Sequence, residues 1–210
     1  MARAELICID DTLVDPKNEK ILESAEKILK EGVAIGTEVV KVDNFLNHML
    51  DVEFLDRIGQ EFGKRFADCK VDKILTVEAS GIAVACLTAK YFGYPSVVFA
   101  KKAAPSTMIE GAYEADARSF TKGTVSKFRV SQKFLNEGER VLIIDDFMAH
   151  GEASMALTEL VRQAGGEVVG IGAVIEKGVQ GGSRKLRDKG YRVESLAVIE
   201  KITDGVITFA

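Results

Sequence analysis

Apolar positions along the 210-residue chain recur at two alternating periods. Between Ile21 and Lys30, the residues Ile21, Leu22, Ala25, Ile28 and Leu29 fall at helical spacing, and Glu31-Gly32 ends the pattern. A second helix is predicted from Glu53 to Phe66, with Phe54, Leu55, Ile58, Phe62 and Phe66 on one face. "KILTVEASG" then reads as a short β-branched strand running into a glycine, followed by a helix from about Ile82 to Phe92. "PSVVFAKK" and "VLIIDD" read as strands, and a helix from Gly151 to Ala164 follows the second. Two more strands, "EVVGIGAVIEK" and "YRVESLAVIEKI", flank a short charged helix around Ser183 to Lys189. Strands alternating with helices imply right-handed crossovers, hence an α/β domain with a mainly parallel twisted sheet and helices on both faces. No repeat interrupts it. The expected organisation is one domain over residues 21–210 preceded by an extension, 1–20, to which no role attaches.

Composition changes this picture little. Net charge of −4 argues against a nucleic-acid-binding surface as the main function. The longest apolar run, Val168 to Ile175, is closed by Glu167 and Glu176, too short for a membrane span. "MARAELICIDD" reaches acids too early for a signal peptide, so a cytoplasmic location is expected. Cys8, Cys69 and Cys86, odd in number and far apart, read as reduced core thiols.

Ligands of an open α/β sheet collect at the carboxyl ends of its strands. Three segments are placed there: "EASG" (Glu78, Ala79, Ser80, Gly81), "DDFMAHGEA" from Asp145, and "EKG" from Glu176. After "VLIIDD" comes a short loop with Gly151 and then a helix, whose N-terminus offers free N–H groups and a positive dipole end to a phosphate. Carboxylates beside a phosphate are repelled by it unless they bind hydroxyls, or a metal-associated group, of the same ligand. A sugar phosphate meets both conditions. Adjacent acids after a strand also occur as plain solvated strand ends, His150 also reads as an exposed loop residue, His48 and the phenylalanine stripe read as structural, and "RKLRDKG" as a solvated helix face.

The ordered segments "VKVDNFLNHMLD", "EASGIA", "SFTKGT", "LIIDDFMAHGEA" and "VIEKG" resemble the type I phosphoribosyltransferases, in particular their bacterial xanthine branch, over roughly Ile28 to Phe209. The resemblance implies that family's fold, with a small N-terminal hood at about 33–52 and a mobile loop from Lys101 to Thr124. It implies transfer of a phosphoribosyl group from 5-phosphoribosyl 1-diphosphate to a 6-oxopurine, with magnesium on the diphosphate. By position, Asp145 and Asp146 would bind the ribose hydroxyls, and Ala149, His150, Gly151, Glu152 and Ala153 the 5′-phosphate. Glu78 to Gly81 would approach pyrophosphate, and Lys101 and Lys102 would meet its charge, in cis or across a homodimer. Val40, Asn47 and Lys177 would meet the base. Many family members carry Thr-Gly-x-Thr in the phosphate loop; this chain reads His-Gly-Glu-Ala, nearer the Asn-Gly-Gln-Ala of the xanthine branch, with His150 for Asn and Glu152 for Gln. Two alternatives stay open: a non-catalytic sensor of ribosyl diphosphate, and the same chemistry on hypoxanthine or guanine, adenine or orotate.

Overall fold

A computed structural model describes residues 19–36, 39–103, 111–119, 123–203 and 206–210. In chain order the elements are α1 (Glu19–Glu31), the strand pair β1 (Val33–Ile35) and β2 (Val39–Lys41), a π-helical turn (Asp43–Asn47), α2 (Val52–Arg65), β3 (Lys73–Val77) and α3 (Gly81–Ala89). There follow β4 (Ser96–Ala100), the hairpin strands β5 (Ala112–Ser119) and β6 (Thr124–Ser131), β7 (Arg140–Met148), α4 (Glu152–Gln163) and β8 (Glu167–Lys177). The chain closes with α5 (Gly182–Arg187), β9 (Val193–Thr203) and β10 (Val206–Phe209). The central sheet has the order β10-β9-β8-β7-β3-β4 and is parallel except for β10, which returns antiparallel along the edge of β9.

One face of the sheet is covered by α1, α2 and α3, the other by α4, α5 and the β5–β6 hairpin, giving two apolar clusters. Helix α2 shows how sequence sets this arrangement. Asp51 caps it by accepting the Phe54 N–H at 3.0 Å, and Glu53 in its first turn and Lys64 and Arg65 in its last suit the helix dipole. Its stripe of Phe54, Leu55, Ile58 and Phe62 is buried, as is Phe66 beyond its end. Below it, β8 offers bare backbone: a Cβ on Gly172 would stand 2.7 Å from the Phe62 ring, and one on Gly170 would press into the Phe66 ring. Gly59 gives α2 the same closeness to α3, where a Cβ would meet the Leu87 carbonyl at 2.8 Å.

The hood, read from sequence only as a segment, is the β1–β2 ribbon followed by the π-helical turn. Val40, Val42, Phe45 and Leu46 point into the core, and Phe45 meets Phe54 edge-on at 5.6 Å. Lys27 of α1 lies 5.4 and 5.3 Å from these two rings and 2.7 Å from the Asp51 carboxylate, tying α1 to the start of α2.

Two sequence expectations need correction. The stretch beyond Lys101 is not simply a loop: Ala112–Ser119 and Thr124–Ser131 pair as an antiparallel hairpin, with Ala115, Ala117, Phe128 and Val130 turned inward. The cysteines are not core thiols, since Cys86 is exposed and Cys69 half-buried, while Cys8 lies outside the described residues. "RKLRDKG" is the solvated face expected, with Arg184, Lys185, Arg187, Asp188 and Lys189 exposed and Leu186 turned inward. The extension lies outside the described residues up to residue 18, as do 104–110 and 120–122 of the proposed loop.

Candidate active site at the carboxyl edge of the sheet

Strand β7 delivers Asp145 and Asp146 to the carboxyl edge of the sheet, and both side chains are buried, at 4% and 9% exposure. The Asp146 N–H donates to Asp145 Oδ1 at 3.0 Å. Burial, then the negative charge of Asp146, pushes the Asp145 carboxyl well above the usual carboxylate range, and Lys102 pulls it partly back. Gly81, at the start of α3, lies against this pair: a Cβ there would be 2.9 Å from Asp145 Oδ1 and would collide with the Thr76 hydroxyl, which is buried and has no hydrogen-bond partner among the described residues. Any side chain at Gly81 would displace the acid.

Beyond Met148 the chain turns through Ala149, His150 and Gly151 into α4. Gly151 has φ of +79°, a left-handed conformation that a side chain disfavours, and it packs on Gly182, whose carbonyl oxygen would lie 3.0 Å from a Cβ at Gly151. The Gly182 N–H donates to the Ala149 carbonyl at 3.1 Å. Lys185 of α5 donates to the His150 carbonyl at 3.3 Å and stands 3.8 Å from Glu152. Glu152 therefore opens α4 with its carboxylate next to a lysine, and its charge also favours the helix dipole. This accommodates the acid that the loop sequence left unexplained.

The "EASG" and Lys101-Lys102 segments are joined. The Glu78 N–H donates to the Ala100 carbonyl at 3.1 Å, and Glu78 Oε1 accepts the Lys102 N–H at 2.6 Å. The two lysines diverge: Lys102 bears on Asp145, whereas Lys101 exchanges backbone hydrogen bonds of 2.9 Å with Arg129 of β6 and holds its ammonium 5.9 Å from the Phe99 ring. Of the predicted base contacts, Val40 spends its side chain on the core, so only its backbone is left for a ligand. Asn47 is exposed at the end of the π-helical turn, and Lys177 is half-buried at the end of β8. Sequence reasoning did not identify Thr76, Gly182, Ser183 and Lys185. The Gly181-Gly182 pair before a basic turn was the available signal for the last three.

Residues 42–206 match the phosphoribosyl transferase domain. The chain belongs to the phosphoribosyltransferase family. It is 55% identical to a protein named Xanthine phosphoribosyltransferase 1 from Clostridium perfringens over 184 residues, 88% of this chain and 97% of that one. It is 51% identical to the Xanthine phosphoribosyltransferase of Laribacter hongkongensis over 183 residues, 87% and 96% of the two chains. Among solved structures, the adenine phosphoribosyltransferase of Rhodothermus marinus shares the fold, with a TM-score of 0.69 at 20% identity over 84% of this chain and 99% of that one. The type I fold expected from the sequence is thereby established, as is membership of a family of pentosyl-transferring enzymes. No helix among the described residues is long and apolar enough to cross a membrane.

Proposed function

We propose that the protein transfers the 5-phosphoribosyl group of 5-phosphoribosyl 1-diphosphate to xanthine, giving xanthosine 5′-monophosphate and pyrophosphate, as a cytoplasmic homodimer serving purine salvage. The observation that carries the chemistry is the buried Asp145–Asp146 pair standing directly before the glycine turn into α4. The xanthine assignment draws on the names of the relatives at 55% and 51% identity.

In this reading the N–H groups from His150 to Ala153 hold the 5′-phosphate at the start of α4. Asp145 and Asp146 accept the ribose 2′ and 3′ hydroxyls, and their negative charge lies beside a ring carbon that becomes cationic as its bond to diphosphate breaks. A ring nitrogen of the base then bonds to that carbon and releases its proton, while the bonding pair leaves with pyrophosphate. Lys102 and the N–H groups of Ala79 to Gly81 meet the departing anion. Lys177 donates to an oxo group of the base, and Asn47 and the Val40 backbone complete its recognition.

Magnesium, when bound, screens the diphosphate charge and helps it leave. Among the described residues no group of three or more His, Cys, Asp or Glu could hold a metal ion. The ion would be brought by the diphosphate, with Asp145 and Asp146 left to the ribose hydroxyls.

The test is a panel of xanthine, hypoxanthine, guanine, adenine and orotate, each incubated with ribosyl diphosphate and magnesium while nucleotide formation is followed. Xanthine is expected to give the highest kcat/KM. Turnover of hypoxanthine as efficient as that of xanthine would overturn the base assignment, and binding of ribosyl diphosphate without turnover of any base would favour a sensor. Sedimentation showing a fully active monomer would remove the dimer.

A further inference from the structure

Glu176 is a buried carboxylate that the proposed chemistry does not use. It is 3% exposed and sits on β8 directly across from Met148, the residue before the phosphate loop begins. Both its oxygens are engaged: the Ser183 hydroxyl donates to Oε1 and the Ser195 hydroxyl donates to Oε2 at 2.6 Å. Arg187 donates to the same Ser183 oxygen at 3.2 Å, bringing a positive charge one hydroxyl away from the buried negative one.

The two serines differ in what lies beyond them. Ser195 belongs to β9, away from the loop. Ser183 is bonded to Gly182, whose N–H donates to the Ala149 carbonyl at 3.1 Å. Gly182 also fits the loop without clearance, since a Cβ there would press on the Ala149 oxygen and lie 2.6 Å from the Gly151 nitrogen. The loop's own conformation depends on this contact, because Gly151 at φ +79° rests on the Gly182 backbone.

We infer that Glu176, through Ser183 and Gly182, is a positioning residue that braces the phosphate loop from behind, fixing the N–H groups that meet the 5′-phosphate. This rests on the assignment of that loop to the 5′-phosphate. A brace of this kind acts on one substrate only. Loosening it costs phosphate-end affinity and leaves affinity for the base where it was.

The experiment compares Ser183→Ala with Ser195→Ala. Each removes one hydroxyl donor from the same carboxylate, so a purely structural role predicts similar melting losses and no selective kinetic effect. The brace predicts that Ser183→Ala raises KM for ribosyl diphosphate roughly tenfold, leaves KM for the base within about twofold, and weakens ribose 5-phosphate binding by calorimetry in parallel. Ser195→Ala should match the parent in both KM values. Gly182→Ala, which pushes on the loop directly, should reproduce the selective KM rise and serves if Ser183→Ala does not fold. Equal KM shifts in the two serine variants, or none in Ser183→Ala and Gly182→Ala, would overturn the brace while leaving the function standing, provided the parent binds ribose 5-phosphate. A parent that neither binds ribose 5-phosphate nor turns over ribosyl diphosphate would remove the phosphate-loop assignment and the brace with it.

Discussion

Two buried acidic sites lie on neighbouring strands at the same edge of the sheet. Glu176 has a hydroxyl donor on each oxygen and an arginine behind one of them. Asp145 has a backbone N–H on one oxygen and, as its nearest charged neighbour, another carboxylate. Burying a charge is costly unless hydrogen bonds and counter-charge compensate it. The first site is compensated from within the protein and reads as structure. The second is compensated only in part, by Lys102, and is the pair that the proposed function gives to the ribose hydroxyls.

The largest effect that would break this contrast is catalytic. Changing both Asp145 and Asp146 to Asn should lower kcat/KM by at least about a hundredfold, because a displaced ribose is costly to a reaction governed by positioning. Near-normal activity in a folded double variant would remove the assignment of the pair.

Next comes stability, with opposite signs at the two sites. Asp145→Asn keeps the oxygen that accepts the Asp146 N–H and removes the buried charge. The raised carboxyl of Asp145 means the native state favours its protonated form. That advantage is present below the ordinary carboxylate range and is lost as pH rises through the native-state value. The variant should therefore melt a few degrees above the parent at neutral pH, with the gap closing as pH falls towards 3.8, the ordinary value of an aspartate. A gap that does not change with pH would mean that the pair is already relieved. Glu176→Ala should instead lose about 2–3 kcal/mol, having left two buried hydroxyls without their acceptor, and denaturant melts will measure it.

Lys177, the residue after Glu176, is the proposed base contact nearest to these acids. Lys177→Ala should reduce kcat/KM about tenfold to a hundredfold with every 6-oxopurine, and Asn47→Ala should narrow only the gap between xanthine and hypoxanthine. Steady-state kinetics with both bases decides between these effects. The smallest effect belongs to Glu152. With Lys185 standing 3.8 Å away, Glu152→Gln should change KM for ribosyl diphosphate by less than about twofold even at low salt. A large fall in KM would mean that the carboxylate faces the phosphate after all.

The parallel strands were legible as unbroken apolar runs, as strands covered on both faces are, and α2 as a helical stripe. The "VLIIDD" run and the stripe from Phe54 to Phe66 admit one reading each. The β5–β6 hairpin was obscured by its own composition. Its inward positions on β5 are a half-buried Tyr113 and the small Ala115 and Ala117, so the apolar signal fades along the strand, while Glu114, paired with Arg129 at 2.7 Å, gives the segment the look of a charged loop. The acid pair was readable because strand, acids and glycine turn are contiguous. The brace behind it was not: Glu176, Ser183 and Ser195 meet only when the β8–α5–β9 crossover closes, and no spacing along the chain announces a contact made by tertiary folding. Likewise, the divergence of Lys101 and Lys102 is decided by the Arg129 bridge from a separate hairpin.

The glycines of β8 have a hereditary consequence. Phe62 and Phe66 occupy the volume that side chains at Gly172 and Gly170 would need, so each ring and its glycine form one unit of shape held in two distant codons. Neither codon can enlarge alone without lifting α2, and neither ring can shrink alone without leaving a void. The tolerated path is compensatory: an alanine at Gly172 needs a smaller Phe62 and a shift of Ile144, whose Cδ1 would lie 2.8 Å from the added Cβ. Because α2 begins at the cap that closes the hood and β8 ends at Lys177, drift in this buried pair would change the relative placement of the residues proposed to meet the base without altering any of them.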